Sequence, residues 1–138
     1  MNNIIIKKIY DEAGLINLEV RAISEFISAY QYCYIQDINL VTNAEKIIAY
    51  SKDLKADCYV EFGEKDGEYT PAFSLKFLKA DLRGRMKIEV DIEIADNATR
   101  SHRCCFYVDG ESGRVEEFGK ALRKLELANV GTEIRLYE

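Results

Sequence analysis

Two neighbouring stretches of the chain carry its clearest structural signal. Residues 86–94 read MKIEVDIEI, and residues 100–109 read RSHRCCFYVD. In the first stretch every even position is apolar and every odd position is charged, which is the period of a half-buried β-strand. Pairing apolar with apolar in an antiparallel hairpin sets Val90 opposite Phe106. The two stretches therefore predict neighbouring strands that bury their even-numbered side chains.

The charged side of these strands gives an independent check on the register. The same pairing sets Glu93 opposite Arg103. A preceding strand that ends at Phe77 fits when Lys76 lies opposite Glu89. Because opposite charges stabilise cross-strand pairs, both faces favour a single antiparallel meander with its odd-numbered side chains in water.

The other elements follow from periodicity and turn signals. Strands are expected near residues 4–9, 16–20, 25–35, 58–62, 73–77 and 134–136, with helices before residue 58 and after Gly113. Residues 25–35 also allow a helix, but their aromatic and β-branched side chains favour a strand. The order β-β-β-α-β-β-β-β-α-β predicts a single α+β domain over residues 1–138, mainly an antiparallel sheet (meander) with two helices on one face.

The first helix has two candidate starting points. Thr42 and Glu45 have the spacing of a capping box, in which the hydroxyl accepts from an early backbone N–H. A start near Asp37 would instead add Leu40 and Val41 to the apolar stripe. The second helix is defined by one stripe, which consists of Val115, Phe118, Leu122 and Leu125.

The composition is that of an ordinary soluble globular protein. Of 138 residues, 48% are hydrophobic and 31% are charged, and 19 Lys and Arg against 24 Asp and Glu give a net charge of −5. This acidic balance argues against broad binding to a phosphate backbone. No apolar stretch approaches the ~18–20 residues of a membrane span, and the start of the chain does not have the order of a secretory signal. We therefore expect a cytoplasmic protein with neither nucleic acid nor membrane as its partner.

The four cysteines are Cys33, Cys58, Cys104 and Cys105. None forms a Cys-x-x-Cys motif, so the chain lacks the usual signature of zinc-ribbon and thioredoxin-type sites. Neighbouring residues of a strand point to opposite faces, so Cys104 and Cys105 cannot easily share a metal. Reduced thiols that act as small apolar side chains are expected, with no metal and no cofactor.

A catalytic site would have to use the single histidine, His102. Its side chain shares a strand face with Cys104, but at a spacing of roughly 7 Å, too far for a direct hydrogen bond. An enzyme built on this chain would bring Asp91, Glu93 and His102 together in a deep pocket. We expect no catalytic residue, with His102 at the rim of the core.

Acidic side chains line the outer face of the strand over residues 86–94. Asp91, Glu93 and the neighbouring Asp96 are a candidate for acid/base work or for a hard cation. The plainer expectation is a solvated face on which Lys87 and Arg103 neutralise the acids. A third interpretation makes Glu89, Asp91 and Glu93 a surface for a cationic partner protein.

Tyrosine is unusually frequent, with nine residues and no tryptophan. In the strand over residues 25–35, Tyr30, Tyr32 and Tyr34 fall on one face. Tyrosine is enriched at protein interfaces because it joins apolar area to a hydroxyl group. These tyrosines are candidates for partner binding, and plain packing is the alternative.

Residues 57–125 also carry a family resemblance. Its features are CYVEFG at 58–63, FSLKF at 73–77, Arg83-Gly84 before the strand at 86–94, and EFGKAL at 117–122. This pattern resembles a group of small bacterial proteins that includes the WapI-type immunity proteins, which accompany contact-dependent or polymorphic toxins. The resemblance implies a cytoplasmic protein that binds and occludes a toxin domain, and it carries no catalytic residue.

These observations predict a non-enzymatic protein-binding module, in the form of an immunity protein if the resemblance holds. A structural or homo-oligomeric module is the alternative. A small enzyme that uses Asp91, Glu93 and His102 is the third hypothesis.

Overall fold

The computed structural model describes residues 2–63, 72–97 and 100–138, without the side chains of residues 94–97, 100 and 101. Asp66 and Gly67, a sequence pair typical of a turn, lie outside this range. The elements in chain order are β1 Asn3–Glu12, β2 Leu15–Ile23, β3 Ser28–Gln36, α1 Asp37–Asp53, β4 Cys58–Gly63, β5 Ala72–Phe77, β6 Arg85–Asn97, β7 Arg100–Glu111, α2 Ser112–Leu125 and β8 Glu133–Arg135. The expected order of strands and helices is confirmed, and residues 28–36 are a strand.

The strands form two antiparallel sheets, not the one sheet that the sequence predicts. The first sheet has the order β3-β2-β1-β8, and the second has the order β4-β5-β6-β7. In both sheets every described pair of neighbours is antiparallel. The number of sheets differs because alternation shows which face of a strand is buried but does not show which strands pair or which sheet that face packs against.

The two sheets follow the same plan. Strand β8 returns from the end of the chain to pair with β1, so the first sheet becomes the run β8-β1-β2-β3 followed by α1. The second sheet is the run β4-β5-β6-β7 followed by α2. Each half is thus a four-stranded meander with a helix after it. The chain shows no internal repeat in its sequence, so this likeness is visible only in the topology.

The register of the second sheet is the predicted one. Val90 pairs with Leu75 in β5 and with Phe106 in β7. Lys76 lies opposite Glu89, as the charges predict. The inward-facing side chains of both sheets and the stripes of both helices form one apolar core, to which Ile88 and Val90 contribute fully buried side chains.

Helix α1 begins at Asp37, so the capping box at Thr42 is wrong and the earlier start is correct. Thr42 lies inside the helix, where its hydroxyl donates to the carbonyl of Ile38 at 2.9 Å. The N–H of Asp37 donates to the carbonyl of Gly14, at the β1–β2 turn, at 2.8 Å. A contact distant in sequence therefore satisfies an early helix donor, and the first turn buries Leu40 completely.

The two helices approach each other closely at Gly119. A Cβ atom there would lie 2.9 Å from Cγ1 of Ile48 and 3.3 Å from its backbone nitrogen. Such distances are below ordinary van der Waals contact, so only glycine fits this position without movement of α1. This crossing joins the helix of one sheet to the helix of the other.

Candidate functional site

The three tyrosines of β3 form an exposed aromatic row, as the alternation predicts. Tyr30, Tyr32 and Tyr34 are 63%, 44% and 52% exposed, while Cys33 and Ile35 between and beside them are buried. The rings of Tyr30 and Tyr32 meet edge to face with centroids 6.2 Å apart. We call the outer side of β3 together with the facing side chains of β2 the tyrosine face.

Each tyrosine has a polar neighbour across the strand pair. Tyr30 lies opposite Arg21, Tyr32 opposite Glu19 and Tyr34 opposite Asn17. A hydrogen bond to the carboxylate of Glu19, followed by its negative charge, raises the pKa of Tyr32, so that its hydroxyl stays protonated. The face therefore offers aromatic area beside charges of both signs.

The side chain of Asn17, next to Tyr34, has a polar atom whose hydrogen-bonding capacity is not satisfied. Its Oδ1 is buried and has no hydrogen-bond partner among the described residues. The residue lies between Tyr34 on one side and Tyr10 of β1 on the other. An unsatisfied buried acceptor costs about 1–3 kcal/mol, so the protein carries this cost on the tyrosine face.

A groove continues from the tyrosine face to the edge of the second sheet. It has a volume of about 610 Å³ and runs between β3, α1 and β4. Tyr34 belongs to both surfaces and Tyr59, which is 47% exposed, contributes from the opposite wall. Helix α1 adds Asn39 and Lys46, so the groove combines aromatic rings with hydrogen-bonding groups and a cation.

Sequence reasoning missed the groove and with it Tyr59, Lys46 and Asn17. Alternation in residues 58–62 already places Tyr59 on the outer side of β4, so its exposure was predictable. Its position across from Tyr34 was not, because β3 and β4 belong to different sheets. Nothing in the sequence marks Asn17 as unsatisfied, since its partners are defined only by packing.

The acidic strand differs from the solvated face that the sequence predicts. Asp91 is only 5% exposed and is held by Arg103, with Nε 3.0 Å from Oδ1 and Nη2 2.5 Å from Oδ2. This fork geometry is the strong form of a carboxylate–guanidinium pair. The hydrogen bonds and the charge of Asp91 raise the pKa of Arg103. Arg103 therefore neutralises Asp91, as expected, but Asp91 is unavailable as a surface charge for a partner.

The neighbouring acids keep partial exposure. Glu89 accepts a hydrogen bond from the hydroxyl of Tyr107 at 3.1 Å, and Glu93 is half-buried. Lys87 pairs with Asp109 instead of with the acids of its own strand. The acidic surface predicted from Glu89, Asp91 and Glu93 is therefore smaller than the sequence suggests.

The three residues of the enzyme hypothesis do not converge. The strand register places Asp91 and Glu93 on the outer face of the second sheet and His102 on the other side of it. His102 is exposed, as expected for the rim of the core. The side chain of Asp96 lies outside the described part of the chain. Among the described residues, no group of three or more His, Cys, Asp or Glu is arranged to hold a metal ion.

The cysteines occupy different environments and form no disulfide among themselves. Cys33 and Cys58 are buried, and burial raises the pKa of Cys33 to about 12 and also raises that of Cys58. Cys104 was expected inside the core and is only half-buried, because β7 lies at the edge of its sheet. Cys105 is exposed on the outer face.

Comparison with known proteins gives information on the fold alone. No family model matches the chain, and no curated protein matches it. Among solved structures, the plant transcriptional regulator PBF-2 is similar, with a TM-score of 0.51 and 11% identity over 92% of this chain and 78% of that chain. Within the described residues, neither helix has the length and apolar character needed to cross a lipid bilayer.

Proposed function

We propose that the chain is a non-enzymatic protein-binding module that engages its partner through the tyrosine face and the adjoining groove. The observation that carries this proposal is the continuity of the row Tyr30, Tyr32 and Tyr34 with a groove bounded by Tyr59. Aromatic side chains contribute a large share of the binding energy at protein interfaces.

The character of the face favours a protein over other partners. On the tyrosine face Arg21 is positive and Glu19 negative, and the same mixture continues beyond it, where Lys7 of β1 lies opposite Glu133 of β8. A surface that tracks a phosphate backbone needs an excess of positive charge, which this mixture does not supply. Mixed charges around aromatic rings are typical of a protein interface with a polar rim.

The acidic strand does not support a second interface of similar quality, because Asp91 is buried and paired. The role of an immunity protein is the more specific form of the proposal, and it rests on the resemblance of residues 57–125 alone. Its partner would be a toxin domain encoded beside the gene for this chain.

The test measures binding of that neighbouring toxin domain by isothermal titration calorimetry. The variants Tyr32→Ser and Tyr34→Ser should each weaken affinity by about tenfold or more, as expected for aromatic anchors. Tyr107→Ser is the matched control, because Tyr107 has a similar exposure of 51% but lies on the second sheet. It should bind within about twofold of the wild type.

Two results would contradict the proposal. Unchanged affinity in both β3 variants would remove the tyrosine face as the interface. Salt-dependent binding of a single-stranded oligonucleotide that is lost in Tyr32→Ser and Tyr34→Ser would assign the face to nucleic acid instead of protein.

A further inference from the structure

A second cavity extends the groove along helix α1. It has a volume of about 460 Å³ and shares Lys46 and Tyr59 with the groove, so the two spaces meet at these side chains. The groove therefore continues past Lys46 to Asp53, the last residue of α1. We call the two spaces together the α1 cleft.

One stripe of α1 lines this cleft along its whole length. The stripe consists of five exposed residues, Asn39, Thr42, Lys46, Ala49 and Asp53. Their steps of three, four, three and four residues are the spacing by which one helix presents a seam to a neighbouring helix. The stripe rises about 21 Å along the helix axis, and the small side chains of Thr42 and Ala49 leave room for a close approach.

Hydrogen bonds between α1 and β4 hold the two walls of the cleft together. In the first half, the amide of Asn43 donates to the carbonyl of Glu61 at 2.8 Å. In the second half, the thiol of Cys58 donates to the carbonyl of Lys46 at 3.6 Å. The cleft is therefore already formed before a partner arrives, which lowers the entropic cost of binding.

The stripe carries one cation and one anion, Lys46 and Asp53. Within the part of the chain that the structure describes, neither side chain forms an ion pair. The other two acids that line the cleft are already engaged, because Asp57 pairs with Lys76 and Glu61 accepts from the hydroxyl of Tyr59. Lys46 and Asp53 are thus the charges that the cleft offers to a partner.

The separation of these two charges indicates the shape of what binds them. Lys46 and Asp53 lie seven residues apart, which is two turns or about 10.5 Å along α1. An extended segment covers about 10 Å in three residues, and residues three apart point to opposite sides of a strand. A helix presents residues seven apart on one face at this separation, so a helix matches both charges.

We propose that the α1 cleft binds a helix of the partner protein. An acidic side chain of that helix lies against Lys46, and a basic side chain seven residues away lies against Asp53. Tyr34 and Tyr59 supply the apolar area that a helix needs in such a groove. This inference rests on the proposed function, since it names the element of the partner that fills the groove.

A second copy of this chain fits the cleft less well. Parallel pairing of two α1 helices sets Lys46 against Lys46, which is repulsive. Antiparallel pairing that sets Lys46 against Asp53 of the other copy overlaps only the two turns between these residues. It leaves the half of the cleft with Asn39 and Tyr34 uncovered, next to the tyrosine face.

Charge reversal on the stripe tests the proposal with the neighbouring toxin domain as the probe. In isothermal titration calorimetry at low salt, Lys46→Glu and Asp53→Lys should each weaken affinity by about tenfold or more. Lys52→Glu and Glu45→Lys are the matched controls, because they change the charge of α1 equally at exposed positions that line neither cavity. Both controls should bind within about twofold of the wild type.

A charge-reversal scan of the toxin domain tests the helical form of the partner. One acidic residue, changed to lysine, should restore affinity to Lys46→Glu, and one basic residue, changed to glutamate, should restore affinity to Asp53→Lys. The two rescuing positions should lie seven residues apart. Rescuing positions two to four residues apart, or no rescue at any position, would overturn the helix.

The remaining outcomes separate this inference from the proposed function. If Tyr32→Ser weakens binding while Lys46→Glu and Asp53→Lys do not, the helix in the cleft is wrong and the tyrosine face remains the interface. No binding by the wild type would overturn both proposals. A dimer in light scattering that Lys46→Glu dissociates would assign the cleft to a second copy of the chain and overturn this inference.

Discussion

The ammonium group of Lys8, in the middle of β1, donates to the backbone carbonyl of Glu126 at the end of α2 across 2.8 Å. A second bond of 2.8 Å reaches the carbonyl of Ala128, and Asp11 supplies a carboxylate at 3.2 Å. Lys8 is only 2% exposed. The side chain thus satisfies carbonyls that a helix end leaves without partners and ties the first sheet to the second helix.

Replacing this lysine should destabilise the fold. Lys8→Met keeps the apolar stem but leaves the two carbonyls unsatisfied, so the free energy of unfolding should fall by about 3 kcal/mol. Urea denaturation followed by circular dichroism measures the change. Lys7→Met, next in sequence but on the outer face, is the control and should cost about 0.5 kcal/mol or less. Equal losses in the two variants would show that the bonds to Glu126 and Ala128 contribute nothing specific.

The crossing of the helices predicts a sharp size limit at Gly119. Gly119→Leu should lower the free energy of unfolding by about 2 kcal/mol or more, because the new side chain meets Ile48 and its backbone. Gly113→Ala is the matched control, since a Cβ there meets nothing within 4 Å. Thermal melts compare the two. Tolerance of leucine at position 119 would mean that α1 and α2 can separate without cost.

The buried face of β6 predicts a variant that cannot fold. Val90→Asp places a charge in the apolar core without a partner, so the chain should show no cooperative thermal transition. The neighbouring Glu89→Gln should change stability by about 0.5 kcal/mol or less, as expected for a partly exposed pair. A cooperative melt for Val90→Asp would be incompatible with the full burial of Val90.

The orphaned oxygen of Asn17 predicts a stabilising substitution. Asn17→Val removes the unsatisfied acceptor and places a β-branched side chain in a strand, so stability should rise by about 1 kcal/mol. A loss of stability in denaturant titrations would show that Asn17 is satisfied in solution.

The buried thiol of Cys33 predicts that the protein becomes less stable at alkaline pH. Burial raises the pKa of Cys33 from 9.0 to about 12, so above pH 9 the unfolded chain loses a proton that the folded chain keeps. The contribution of Cys33 to the free energy of unfolding is therefore complete below pH 9 and declines as the pH rises toward 12. At roughly pH 10.5 the free energy of unfolding should be lower by about 2 kcal/mol.

Urea titrations from neutral to alkaline pH measure this slope. Cys33→Val should flatten it in part, because burial also raises the pKa of Cys58 and raises that of Tyr50 to about 12. Cys105→Ser should leave the decline in place. An identical alkaline decline in wild type and Cys33→Val would exclude Cys33 as its source.

Much of the candidate site was predictable from local pattern. Alternation alone places Tyr30, Tyr32 and Tyr34 on one exposed face, and the same rule gives the correct pairs of the second sheet. The burial of Asp91 was not predictable in this way, because an outward position in a strand does not reveal that the fork of Arg103 and neighbouring side chains cover it. The groove joins strands that are neighbours only across the two sheets.

Local sequence pattern is enough to predict the order of the elements, the buried side of the alternating strands and the register of β5, β6 and β7, because these depend on period, charge pairing and turns between near neighbours. Tertiary structure decided that there are two sheets, that α1 begins at Asp37 and that Lys8 lies inside the protein. Each of these depends on a partner distant in the chain, and hydrophobic burial is non-directional, so an apolar face does not specify what will cover it.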